Sequence, residues 1–155
     1  MTRCSIGQDS HRFASDPDRK CVLGGVVIPD APGFEANSDG DVLLHALTNA
    51  VSGITGRNIL GPPADRICRA GITDSRVYLA EALADLRDKI VHVSFTLEGS
   101  RPRLWEHIPA IKAAVAGLLN IDPSRVGLTA TTGEGLTAFG RGEGISVFCI
   151  LTVGE

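Results

Sequence analysis

The stretch Ile145 to Val153, close to the C-terminal end, is apolar at almost every position. It restricts the fold more than any other feature of the chain. It is short for a core helix and suits a strand. A strand apolar on both sides of the pleat belongs inside a sheet that is covered on both faces. The expectation for Ile145–Val153 is therefore burial on both faces.

The rest of the chain supplies cover for one face. Thr2 to Gln8 reads as a first strand that Asp9-Ser10-His11 continues and Ser15-Asp16-Pro17-Asp18 breaks. Cys21 to Pro29 is a strand pair, or one kinked strand, around Gly24-Gly25. Asp30 to Asn37 is a loop and a candidate flexible lid. Ser38-Asp39-Gly40-Asp41 has the S-x-x-D form of a helix start. Val42, Leu43, Ala46, Leu47, Ala50 and Val51 then recur at helical spacing until Gly53 and Gly56. Arg57 to Gly71, with Pro62 and Pro63, reads as irregular. Thr73-Asp74-Ser75 opens a second helix running to about Lys89. Ile90–Leu97 is a central strand, His107–Leu119 a third helix, and Val126–Thr131 a further strand.

This order predicts an α/β chain of the two-layer, α+β kind: a mixed sheet with helices on one face. Residues 1–155 are expected to form one domain. The uncovered sheet face then needs a second copy, so the pattern predicts an oligomer. Hydrophobic residues make up 43% and aromatics 5%, so the core is aliphatic. The net charge is -3 with no Lys/Arg run, which removes the electrostatic footprint of a nucleic-acid binder. Met1 to Asp9 carry no apolar signal core, and no run approaches the roughly 20 apolar residues of a membrane span. The expectation is a cytoplasmic chain with no membrane partner. The four cysteines include no C-x-x-C pair and read as buried, reduced thiols, with a zinc-thiolate site as the alternative.

Two constellations carry chemistry. Asp9 and His11, two apart on a strand, point the same way and offer oxygen and nitrogen donors to a divalent ion. His45, on the polar side of the first helix, is a third donor. Three protein ligands leave one position open for substrate, as in catalytic zinc sites. The alternatives are a surface Asp–His pair without a role, and a His45 merely bonded to Asp41. Asp41 could also fix the imidazole tautomer of a metal-bound His45. The second constellation, Thr129 to Gly135, follows a strand and combines hydroxyls, glycines and Glu134. Such a turn can cradle phosphate oxygens, with Glu134 holding a hard cation; otherwise it is a polar turn. Gly140 to Gly144 is a loop with a local Arg–Glu pair.

Ile6–Phe13, Leu23–Pro29, Ser38–Leu47, Ala130–Leu136 and Gly140–Ile145 together resemble the 2-C-methyl-D-erythritol 2,4-cyclodiphosphate synthase family, in its order and spacing. The resemblance implies a homotrimer, with sheets packed around the trimer axis and an active site at each subunit interface. It implies zinc on Asp9, His11 and His45, and a second cation, magnesium or manganese, at Glu134 with the substrate diphosphate. The implied substrate is 4-diphosphocytidyl-2-C-methyl-D-erythritol 2-phosphate, converted to the cyclic diphosphate and CMP. It places Asn37 and Thr132 in catalysis. Contacts to substrate fall on Asp9, His11, Asn37, Ser38, Ile59, Gly61, Arg103, Thr131, Thr132, Glu134 and Arg141, with the cytidine loop near Ser100 to Glu106. This chain departs from the family at Asn37 (a histidine there) and at Asn49 (an aspartate). In Gly56–Gly61 the erythritol-contacting aspartate has no clear counterpart, and the family's following Phe-Pro-Asp segment is altered, with Asp65 as the candidate for its remnant. Phe139 is shifted by one place against the family's phenylalanine. A metal-dependent phosphoesterase of other specificity and a non-catalytic trimer binding a nucleotide or isoprenoid are the rival readings.

Overall fold

The computed structural model describes residues 1–155. Its strands are β1 (Arg3–Arg12), β2 (Lys20–Leu23), β3 (Val26–Pro32), β4 (Lys89–Glu98), β5 (Val126–Thr131) and β6 (Gly144–Gly154). Its helices are α1 (Val42–Thr55), α2 (Pro62–Arg69), α3 (Ser75–Leu83) and α4 (Ile108–Leu119). Four strands form a sheet in the order β1-β6-β4-β5, while β2 and β3 form a separate hairpin. Only β4 and β5 run parallel, so the sheet is mixed and the α/β expectation holds. No helix is long and apolar enough to cross a membrane.

The helices cover one sheet face. Val93, Phe95, Leu97, Val147, Cys149 and Leu151 alternate inward and are buried together with Leu43, Leu47, Val51, Ile111 and Val115 of α1 and α4. The period-2 pleat sends the intervening residues outward. Here β6 departs from the expectation of burial on both faces. Phe148 is 46% and Ile150 48% exposed, and Ile6 beside them on β1 is 64% exposed. No element of the chain itself covers this second face, so its apolar residues remain open to a partner.

Where α1 crosses β1 the two backbones almost touch. A Cβ added at Gly7 would lie 2.0 Å from the carbonyl oxygen of Ala46 and 2.5 Å from the amide of Ala50. Only glycine permits this approach. The side-chain amide of Asn49 donates to the carbonyl of Gln8 at 3.0 Å, and the Ser5 hydroxyl donates to that of Ala50 at 2.5 Å. The helix that bears His45 is thereby stitched to the strand that bears Asp9 and His11.

Four local expectations are corrected. Ser38 is not the N-cap of α1; Asp41 is, accepting from the Leu44 amide at 3.0 Å and from the amides of Gly24 and Gly25 at 2.9 and 2.7 Å. Helix α1 runs through Gly53 and stops at Thr55, ended by the other expected glycine, Gly56, which in the left-handed region (φ 78) returns its N–H to Ser52. Arg57–Gly71 is not irregular throughout. It holds α2, which begins at Pro62 and Pro63 because proline fits the first helical positions. Helix α3 ends at Leu83, short of Lys89, in a tightened turn where the amides of Asp85 and Leu86 bond back three residues.

Candidate metal centre

Asp9 and His11 lie on the same face of β1 as Gly7 and look onto α1, where His45 occupies the first turn. Asp9 Oδ2 stands 3.0 Å from His11 Nε2 and 3.0 Å from His45 Nδ1. The two histidine nitrogens are 3.1 Å apart. These are the only three His, Cys, Asp or Glu side chains that cluster with ligand geometry. Burial pushes the Asp9 carboxyl up, but hydrogen bonds and charge from His11 and His45 outweigh it and hold it at about 2. The carboxylate is thus ionised across the physiological range, as a ligand must be.

This donor set fits a zinc-type ion. An equilateral triangle with sides near 3 Å has a circumradius of about 1.8 Å, shorter than zinc–ligand bonds of about 2.0–2.2 Å. Three such atoms form a tripod that leaves one side free. One carboxylate and two imidazoles is also a ligand set that zinc and neighbouring divalent metals accept. No cysteine belongs to the cluster. Cys21 and Cys149 are buried, as expected of inert thiols, with burial pushing Cys21 to about 12 and Cys149 up as well. Cys4 is exposed and Cys68 half-buried.

The tripod borders a cleft of about 340 Å³ that Asn37, Ser38, Gly61, Asp65 and Cys68 also line. The loop that brings Asn37 and Ser38 here is pinned from outside. Arg19 donates to the carbonyls of Ala36, at 2.7 Å, and Ser38, and the Cys68 thiol donates to that of Asn37 at 3.2 Å. Phe34, just before the loop, is fully buried and stacks on Phe13 at 5.4 Å between ring centroids. Three successive carbonyls held by side chains make a fixed rim, where the composition of Asp30–Asn37 suggested a flexible lid.

The far side of His45 is also engaged. Its Nε2 lies 2.8 Å from the hydroxyl of Ser75 and 3.4 Å from that of Ser38. Ser75, fully buried, donates its own proton to Asp39. The Asp39 carboxylate also accepts from the amides of Ser75 at 3.1 Å and Asp41 at 3.0 Å. The partner of the imidazole is therefore Ser75 and not Asp41, whose carboxylate is spent on the helix cap and on Gly24-Gly25. Burial pushes the Asp41 carboxyl up to about 6, with the Asp39 charge adding to it and three backbone amides opposing it.

The remaining expected site residues lie elsewhere. Arg103, Thr131 and Thr132 line a second cleft of about 420 Å³, with Ser100, Pro102 and Trp105 at its rim. Glu134 follows in a left-handed conformation (φ 48), its amide donating to the Thr132 hydroxyl at 3.3 Å. Ile59 is fully buried in the core and is corrected as a substrate contact; Gly61, two residues on, reaches the first cleft. Arg141 pairs with Glu143 at 3.6 Å, the local pair expected of that loop. The two clefts share no lining residue.

Fold and site together define a class: a two-layer α/β protein with a carboxylate and two imidazoles that could hold a metal ion on a polar cleft, and a hydroxyl-rich turn beside a second. The chain belongs to the YgbB family, whose model matches residues 2–154. It is 50% identical over 157 residues to the 2-C-methyl-D-erythritol 2,4-cyclodiphosphate synthase of Chlamydia trachomatis serovar L2b, covering 99% of this chain and 88% of the relative. A solved 2C-methyl-D-erythritol-2,4-cyclodiphosphate synthase in its CDP-bound form is similar at a TM-score of 0.83 and 34% identity, with 98% of this chain and all of that chain covered. The bifunctional IspDF of Campylobacter jejuni is similar at 0.87 and 28% identity; this chain spans 99% of itself but 42% of that longer protein.

Proposed function

We propose that the chain converts 4-diphosphocytidyl-2-C-methyl-D-erythritol 2-phosphate to 2-C-methyl-D-erythritol 2,4-cyclodiphosphate and CMP. The observation that carries this reading is the tripod of Asp9, His11 and His45, its ligand atoms 3.0–3.1 Å apart on an open cleft. Its relatives' printed name gives the product, and the substrate is the one that the family resemblance implies. The attacking group is already a phosphate anion, so no strong general base is needed. The chemistry asks for positioning and charge neutralisation, and these residues can provide both.

In this reading the 2-phosphate oxygen forms a bond to the β-phosphorus, and the bond from that phosphorus to the CMP oxygen breaks. When bound, zinc at the tripod and magnesium or manganese at Glu134 supply Lewis-acid withdrawal of charge from phosphate oxygens. Asn37 and Ser38, on their pinned loop, donate hydrogen bonds to phosphate. Thr131 and Thr132 hold the diphosphate, with Thr132 bonding to the oxygens that gain charge. Arg103 neutralises the nucleotide phosphate, and the Ser100 to Glu106 loop takes the cytidine. Gly61 and Asp65 contact the methylerythritol part.

One diphosphate can reach both clefts if they come from neighbouring copies. The apolar face of Ile6, Phe148 and Ile150 supports such an assembly, and we propose a homotrimer with that face at its axis and Arg141 near it. The test is incubation of the full chain with the diphosphocytidyl substrate, zinc and magnesium. The proposal expects CMP and the cyclic diphosphate in equal amounts. Inorganic phosphate without a cyclic product would make it a phosphoesterase, and no turnover by metal-loaded protein would retire it.

A further inference from the structure

We infer that Ser75 and Asp39 are positioning residues for the metal ligand His45: a hydrogen-bonded chain from Asp39 through the Ser75 hydroxyl to Nε2 fixes the ring so that Nδ1 is the nitrogen that takes the cation. The inference rests on the metal reading of the tripod and adds residues that neither tripod nor clefts include.

The proton count fixes the direction of the chain. A hydroxyl has one proton and two lone pairs. Ser75 donates its proton to the Asp39 carboxylate, which has no proton to give. Only a lone pair of Ser75 Oγ remains for His45 Nε2, 2.8 Å away, so Nε2 carries the hydrogen and donates. With Nε2 held as a donor by Ser75, Nδ1, which bonds to Asp9 before any metal enters and also meets His11, is the nitrogen whose lone pair a cation takes up. A ligating histidine whose other nitrogen is held by an oriented acceptor keeps its ring angle and binds metal more tightly.

The chain is built to hold its shape. Ser75 is fully buried, and its backbone amide donates to the other oxygen of the same Asp39 carboxylate at 3.1 Å. The carboxylate is gripped in turn by the Asp41 amide. Asp39 therefore joins the N-terminal ends of α1 and α3, and each presents one group of the relay. Asp39 also adjoins Ser38, whose hydroxyl accepts from the Gly40 amide at 3.1 Å. The same short segment thus orients the metal ligand and one rim of the cleft.

The experiment measures zinc affinity of the full chain by competition with a chromogenic chelator, and follows the visible spectrum of the cobalt-loaded protein. Ser75→Ala is expected to bind zinc about 10–100-fold more weakly, with an altered cobalt spectrum, while the metal-free protein melts near the wild-type temperature. Ser75→Thr, which restores the hydroxyl, is expected to recover affinity to within a few-fold. Wild-type affinity in S75A overturns the inference, as does equal loss in S75A and S75T, which would mean that shape and not the hydroxyl matters. Should S75A fail to fold, Asp39→Asn carries the test. Weaker zinc binding is expected there, and an unchanged affinity overturns the inference. A wild-type chain that binds no zinc would sink the metal reading itself, and is told apart because it needs no mutation.

Discussion

Gly7 is where a single methyl group would do the most damage to the metal centre without touching a ligand. The added Cβ of Gly7→Ala would sit 2.0 Å from the Ala46 carbonyl oxygen and 2.5 Å from the Ala50 amide, both backbone atoms of α1. Ordinary carbon–oxygen contact needs above 3 Å, so the helix must retreat from β1 by about 1 Å or the strand must buckle. His45 rides on that helix next to Ala46, while Asp9 and His11 ride on the strand. Metal sites tolerate displacements of about 0.2 Å, so a retreat of about 1 Å opens the tripod. Overpacking of this kind costs about 1–3 kcal/mol, which lowers the melting temperature by roughly 2–4 °C per kcal/mol in a chain of this size. Chelator competition and thermal melting of the purified variant read both effects. The reasoning is refuted if G7A binds zinc as tightly as the wild type and melts within about 1 °C of it.

Arg19→Ala frees the carbonyls of Ala36 and Ser38 and loosens the rim that presents Asn37 and Ser38. Two charge-assisted bonds on a half-buried side chain are worth about 1–3 kcal/mol together, so KM is expected to rise about tenfold in steady-state assays, with zinc affinity little changed. Asp41, fully buried, titrates higher in the folded chain, at about 6, than the ordinary value of about 3.9. Its contribution to stability is therefore complete below about pH 4 and is lost as pH rises through 6. The wild type should lose up to about 3 kcal/mol across that window relative to Asp41→Asn, which urea midpoints at several pH values would detect. A flat difference between the two proteins would refute it.

What could be read in the sequence follows from where the information lies. Ile90–Leu97 and Val126–Thr131 carry apolar residues at alternate positions, Ile145–Val153 is apolar almost throughout, and each is a strand in the structure. Asp9 and His11 were legible because the pleat puts residues two apart on one face; His45 stood out as a polar group on an apolar helix. Helix α2 was not legible: none of its residues is buried, so it leaves no apolar stripe, and Pro62-Pro63 read as breakers when they open the helix. Ser38 and Asp41 are both good caps, and Asp41 wins because its carboxylate also serves Gly24 and Gly25, far off in sequence. Ser75 meets His45 across 30 residues and Arg19 meets Ser38 across 19; no local pattern encodes such pairs. The alternation in β6 was hidden because Phe148 and Ile150 are as apolar as their buried neighbours, a composition suited to a face that a second copy covers.

In the proposed site one carboxylate and two imidazoles grip a single cation and leave one side for phosphate. Anomalous diffraction at the zinc absorption edge, from crystals of the protein supplied with zinc, tests this arrangement. The expected map has one strong peak per chain, about 2.0–2.2 Å from Asp9 Oδ2, His11 Nε2 and His45 Nδ1, with a water or phosphate oxygen as the fourth neighbour. No peak there, or a peak whose four neighbours are all protein atoms, would contradict the account.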